Sequence, residues 1–155
     1  MTLCLRTADA VRIHAHLCRA YPEEGCGLLV GRDEGTRRVV ERVVESGNRG
    51  EGAREQRYVI APEDVLAAER EARDAGLDVV GFFHSHPDRP ALPSVFDLEH
   101  AWPYYSYLIV SIEQGRVGEV RAWRLAADRS RFEPEAIEPP PAAGSHAPGA
   151  GPEES

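Results

Sequence analysis

The sequence predicts an α/β domain, a mixed β-sheet flanked by helices. Short valine- and isoleucine-rich runs bounded by turn residues read as strands, notably Gly27-Leu-Leu-Val-Gly and Leu77-Asp-Val-Val-Gly-Phe-Phe. Two longer stretches, residues 8–20 and 63–75, carry apolar side chains at helical spacing. The two kinds of segment alternate along the chain, which calls for a sheet with helices packed on its faces.

In residues 8–20 the apolar positions are Val11, Ala15 and Cys18, with Ala10, Ile13 and Leu17 alongside, and Thr7 stands where a capping residue is wanted. Gly27-Leu-Leu-Val-Gly is then a short strand. After the Asp33-Glu34-Gly35 turn, residues 38–45 are valine-rich but alternate poorly, and form the second arm of a hairpin. Residues 47–57 are glycine-rich and charged, a surface loop, and Tyr58-Val-Ile is strand-like. Pro62 suits a first helical position, and Gly76 ends the helix that follows. Leu77 to Phe83 is apolar enough for a buried strand. A short helix runs from Val95 to about Trp102 and stops at Pro103. Residues 107–112 and 117–125 form two strands around Gln114-Gly115. From Pro134 onward the chain is proline, alanine, glycine and acid. It is expected to be a disordered tail, so that residues 1–133 form the domain and removal of residues 134–155 leaves activity intact.

A chain of 155 residues builds one core-bearing domain. Its net charge of -8 supplies no basic footprint and argues against a nucleic-acid partner. No apolar run approaches the roughly 20 residues of a membrane span. Arg6, Asp9, Arg12 and His14 interrupt any secretory signal near Met1. The cysteines Cys4, Cys18 and Cys26 are odd in number and lack CxxC spacing, so a cytoplasmic location is expected.

The chemistry concentrates in His84-Ser-His-Pro-Asp-Arg-Pro-Ala-Leu-Pro-Ser94-Val-Phe-Asp97. Side chains at i and i+2 of a strand share a face, so His84 and His86 project together while Ser85 points away. Two imidazoles and the Asp97 carboxylate make three of the four ligands of a tetrahedral zinc, leaving one position for water as catalytic sites do. Simpler readings exist: either histidine alone is as well explained by a hydrogen-bonded core position, and Ser94-x-x-Asp97 matches a helix capping box.

Taken together, His84-Ser85-His86-Pro87, with seven residues between His86 and Ser94 and two between Ser94 and Asp97, resembles the signature of the JAMM (MPN+) metalloproteases. Upstream, Tyr21-Pro-Glu-Glu-Gly-Cys-Gly-Leu-Leu-Val-Gly resembles that family's glutamate stretch and aligns Glu24 rather than Glu23. The likeness spans roughly residues 5–125. It implies an MPN/JAB domain of cytidine-deaminase-like architecture holding one zinc ion on His84, His86 and Asp97. Glu24 would be the general base and Ser94 a donor to the developing oxyanion. It also implies cleavage of the amide bond after the Gly-Gly tail of a ubiquitin-like or sulfur-carrier protein. Two alternatives stand beside this: a non-catalytic scaffold that binds a ubiquitin-like partner, and a zinc hydrolase of small amides. A zinc deaminase is disfavoured, because the Pro-Cys-x-x-Cys ligand pair is absent. A Cys26 nucleophile is disfavoured by its glycine and apolar flanks. His14, His16 and His146 show no ligand spacing, and His100, one turn after Asp97, could face the pocket but better suits a solvated or helix-end role. Asp88 and Arg89 read as exposed loop charges that could border the substrate groove, and Trp102, Tyr104 and Tyr105 as aromatics packing the sheet, with the lining of a substrate channel the lesser alternative for one of them.

Overall fold

The computed structural model describes residues 1–48 and 60–141. Seven strands and three helices follow in the order β1 (Thr2–Cys4), α1 (Thr7–Ala20), β2 (Cys26–Asp33), β3 (Arg37–Ser46), α2 (Pro62–Asp74), β4 (Asp78–Pro87), α3 (Val95–His100), β5 (Ser106–Glu113), β6 (Arg116–Leu125) and β7 (Phe132–Glu138). The expected mixed sheet is present and closes into a barrel in the order β1-β3-β2-β4-β5-β6-β7. Pairing is parallel where β1 meets β3 and β7 and where β4 meets β5, and antiparallel elsewhere.

Closure depends on β1 and β7, the two strands the sequence reading lacks. It also moves the domain boundary: the fold runs past residue 133, and the supposed tail begins as a barrel strand. The inward position of β7 is Glu135, a charge that hydrophobic patterning cannot register. Its Oε2 pairs with Arg124 Nε at 3.3 Å, and Ile137 packs against the main core. The remainder of the tail, from residue 142, lies outside the described residues. So do residues 49–59, which hold most of the expected loop and the Tyr58-Val59 part of the strand-like run.

The poor alternation of β3 has a local cause. Val30 pairs with Arg42 but Gly31 with Val40, so Glu41 is an extra residue on β3 and its inward face changes phase there. Helix α1 also differs from expectation. Arg6, not Thr7, is the N-cap and makes no side-chain cap bond, and Val11 is 61% exposed. The buried pair is Ile13 and Leu17, four residues apart, facing Leu29, Val43, Val80 and Leu108 of the barrel. Helix α2 covers the other face of β2 and β4 through Ala68 and Ala72. Between these layers β2 lies against β4 so tightly that a Cβ on Gly27 would fall 2.2 Å from the Phe83 ring. Among the described residues no helix is long and apolar enough to cross a membrane.

Truncation distinguishes the two boundaries. A chain ending at residue 133 should lose at least about 3 kcal/mol, because Arg124 is left without Glu135 and the Ile137 side chain is gone. A chain ending at residue 141 should match the full-length protein. Urea unfolding followed by tryptophan fluorescence measures both, and equal midpoints would show β7 to be dispensable.

Candidate metal centre

The site is built on the middle of the barrel. Strand β4 is flanked by β2 and β5, with His84 paired to Cys26 on one side and Ile109 on the other, and His86 to Ser111. Both imidazoles therefore lie within the strand, on one face, each only 1% exposed. A loop leads to α3, whose first turn is fixed by a capping box. Asp97 N donates to Ser94 Oγ at 3.0 Å, and Ser94 N donates to Asp97 Oδ2 at 2.9 Å. The capping reading of Ser94 and Asp97 is thus correct, and it does not compete with a ligand role. The cap aims the carboxylate: Asp97 Oδ2 lies 3.1 Å from His86 Nε2 and 3.3 Å from His84 Nε2, with the two nitrogens 3.2 Å apart. His84, His86 and Asp97 are the group of donors among the described residues that is close enough to share one ion.

These distances fit a small divalent metal. Ligand bonds of about 2.0–2.1 Å arranged tetrahedrally put donor atoms about 3.3–3.4 Å apart. The tautomer fits as well. His86 Nδ1 lies 2.9 Å from Pro90 O, and a carbonyl only accepts, so Nδ1 carries the proton. The neutral ring then turns a lone pair towards a carboxylate oxygen, an arrangement that calls for positive charge between them. Burial pushes His86 below the ordinary histidine range, which favours that neutral ring. Burial alone would raise Asp97, but His84 and the Ser94 amide hold it well below the usual carboxylate range. For His84 burial works downward and is outweighed by the Asp97 and Glu24 carboxylates, so it shifts up.

Glu24 comes from the segment between α1 and β2. Ser85, on the opposite face of β4 from the histidines, fastens that segment. Its Oγ accepts from Gly25 N at 2.8 Å and its amide donates to Gly25 O at 3.0 Å. Ser85, which points away from the histidines as expected, therefore ties Glu24 to the histidine strand. Glu24 is 1% exposed, whereas its neighbour Glu23 is only half-buried. Burial, partly offset by His84 and Arg89, pushes the Glu24 carboxyl up to about 7, poised to exchange a proton near neutral pH. Its Oε2 is held by the Arg89 guanidinium, and its Oε1 is buried without a hydrogen-bond partner among the described residues.

Of the two loop charges, Asp88 is exposed as expected, whereas Arg89 was misjudged by sequence reasoning. Arg89 turns inward to Glu24, and Asp88 bonds the Tyr21 hydroxyl at 2.6 Å and the Gln114 amide at 2.8 Å. Nothing in Pro-Asp-Arg-Pro distinguishes such residues from a solvated turn. The aromatics also need correction, since Trp102 is 63% and Tyr104 47% exposed. With Phe82, Phe96 and Tyr107 they line a cavity of about 630 Å³ whose wall includes His84 and Asp97. The bland reading of the other side chains holds. Burial pushes the Cys26 thiol up to about 12, too high for a ready nucleophile. His16 Nε2 lies 2.9 Å from the Cys26 carbonyl, and His100, exposed at the end of α3, stacks on Phe96 and also borders that cavity.

A closed α/β barrel whose central strand gathers two imidazoles and a carboxylate, with a buried glutamate at hand, defines a domain built around a metal-compatible centre. Residues 8–126 match the model of the prokaryotic homologs of the JAB domain, and the chain belongs to that family. It is 36% identical over 114 residues to the desampylase of Haloferax volcanii, a match covering 72% of this chain and 80% of that one. It is 38% identical over 95 residues to the probable TtuB-protein conjugate cleaving protease of Thermus thermophilus, covering 61% and 60% of the two chains. Among solved structures it resembles a protein from Desulfitobacterium hafniense with a TM-score of 0.76 at 33% identity, covering 88% of this chain and 91% of that one. A protein from Salinibacter ruber gives 0.68 at 41% identity, covering 92% and 94%.

Replacing a ligand should abolish metal binding. Loss of a partner one shell out already costs about 10–100-fold in affinity, so His86→Ala should lose more than about a hundredfold. Elemental analysis after dialysis measures this, with Cys26→Ser as the variant expected to keep its metal. Stoichiometric metal in His86→Ala would refute the assignment.

Proposed function

We propose that this protein is a zinc-dependent isopeptidase that hydrolyses the amide bond after the C-terminal Gly-Gly tail of a ubiquitin-like or sulfur-carrier protein. The observation that carries the reading is the meeting of His84 Nε2, His86 Nε2 and Asp97 Oδ2 within 3.1–3.3 Å, beside the buried carboxylate of Glu24. His84, His86 and Asp97 would hold zinc, which when bound lowers the pKa of water to about 7 and polarises a carbonyl. Glu24 accepts the proton of the attacking water and passes it to the leaving amine as the C–N bond breaks. Ser94 already accepts the Asp97 amide through its oxygen, so its hydroxyl hydrogen remains available to the oxyanion that develops on the substrate carbonyl.

The substrate class follows from burial and from the relatives. Histidine donors exposed by only 1%, beside an aspartate exposed by 8%, admit a slender backbone, and the glycines of such a tail carry no side chain to obstruct it. The cavity beside His84 and Asp97 has room for the residues that precede them. The names of the relatives, a desampylase and a conjugate-cleaving protease, point the same way. Three free cysteines suit a reducing cytoplasm, and the deaminase-like architecture expected of the family belongs to this proposal too.

The test is cleavage of a Gly-Gly-tailed carrier joined to a lysine side chain, read by mass spectrometry with and without zinc, beside free dipeptides. Zinc-dependent release of the carrier is expected; hydrolysis of the dipeptides alone would favour a small-amide hydrolase. Glu24→Gln should keep its zinc and lose at least about a hundredfold in turnover. Undiminished turnover in that variant would show that another group takes the proton. The pH profile supplies a separate check. The base must be ionised, so the rate rises with pH through the Glu24 titration. Burial sets that pKa at about 7 without metal, and a nearby divalent cation draws it lower. The acid limb of kcat/KM should therefore fall below neutrality, and it should be missing from the residual activity of Glu24→Gln.

A further inference from the structure

We propose that Arg89 is a positioning residue for Glu24: its guanidinium holds one carboxylate oxygen and leaves the other to exchange the proton. The inference rests on the peptidase reading above and assigns a role that the metal ligands and the base do not cover. Arg89 Nη2 pairs with Glu24 Oε2, while Glu24 Oε1 is buried with no hydrogen-bond partner among the described residues. A carboxylate only 1% exposed has little water to orient it. One oxygen is thus spoken for and the other is presented, which is the division of labour a proton shuttle needs as water loses its proton and the amine gains it.

The backbone around Arg89 is held on every side, unlike that of an ordinary surface loop. Asp88 stands at φ +54, a left-handed conformation that costs a non-glycine residue energy and persists only where the surroundings enforce it. They do so from three directions. The Asp88 amide donates to Ile112 O at 2.8 Å, and its carboxylate accepts from the Gln114 amide at 2.8 Å and the Tyr21 hydroxyl at 2.6 Å. The buried Ser111 hydroxyl donates to Arg89 O at 2.6 Å. Tyr21 lies in the same segment as Glu24, so the anchor of Arg89 and the base it steadies share one stretch of chain. The Arg89 side chain is 29% exposed, with its inner end against Glu24. The contact is made by one guanidinium nitrogen, Nη2, so the point charge of an ammonium on a lysine stem can serve the same oxygen.

A double-mutant cycle tests this by two readouts. In the zinc-supplemented cleavage assay Arg89→Ala should lower kcat by about 10–100-fold, with KM within about threefold and zinc stoichiometry kept. Arg89→Lys should recover to within about fivefold of the wild type. In a Glu24→Gln background Arg89→Ala should add nothing. The second readout is urea unfolding of the metal-free protein in mildly alkaline buffer. Arg89→Ala should lower the midpoint with Glu24 present, by leaving a buried charge unpaired, and leave it unchanged in the Glu24→Gln background, where that charge is gone. Additive losses in either cycle, or an effect carried by KM, would overturn the assignment. A wild-type protein that cleaves no conjugate would sink the peptidase reading and the catalytic role of Arg89 with it, while the unfolding cycle would still decide whether the two side chains act as a pair.

Discussion

Two hydrogen-bond acceptors held 3.1 Å apart inside a protein need a proton or a cation between them. His86 spends its ring proton on the Pro90 carbonyl, which leaves its inward nitrogen an acceptor facing the Asp97 carboxylate. A lone buried carboxylate would be costly, and proteins meet that cost with a partner charge or a metal. Much of the remaining architecture serves to keep these atoms together. Strand β4 is locked between β2 and β5, so neither imidazole can retreat, and the α3 capping box prevents the carboxylate from turning away. Binding of a cation to such a preassembled site relieves electrostatic conflict and therefore stabilises the fold as well as equipping it.

The capping box shows how one short motif meets two demands. Ser-x-x-Asp is what a helix start needs, because unpaired amides of the first turn must find acceptors. Here the aspartate satisfies the Ser94 amide with the same oxygen that faces both imidazoles. The helix start and the third donor are a single structural event. A helix of six residues has little stability of its own, so tertiary contacts and the cap set its position.

What could be read from the sequence divides along physical lines. Strands β2, β4, β5 and β6 announce themselves because their buried positions are apolar, and α2 because Pro62 and Gly76 mark its ends. His84, His86, Ser94 and Asp97 were legible because strand and cap geometry are local, so spacing alone brings each pair to a shared face or turn. Closure of the barrel was not legible, since β1 is only three residues long and the inward residue of β7 is a glutamate whose partner, Arg124, lies on β6. The stripe of α1 was misplaced towards Val11 because several helical faces of that segment are about equally apolar, and only contact with the barrel selects Ile13 and Leu17. Arg89 was hidden for a related reason: its inward turn depends on Tyr21, Ser111 and Gln114, which no local pattern connects to it.

The two halves of the centre are carried by different parts of the chain and are joined at two points. The donors belong to β4 and the start of α3, whereas Glu24 belongs to the turn that leads from α1 into β2. Ser85 joins them from beneath, through paired bonds between its own backbone and side chain and the Gly25 peptide. Arg89 joins them from above, through the carboxylate itself. A carboxylate fastened at its backbone alone would keep its place but not its aim, because the glutamate side chain retains rotatable bonds beyond Cα. Fixing the far end as well restricts those bonds without adding a side chain among the three donors. Groups that must act within hydrogen-bond reach of one another are useful only when such support is in place before substrate arrives.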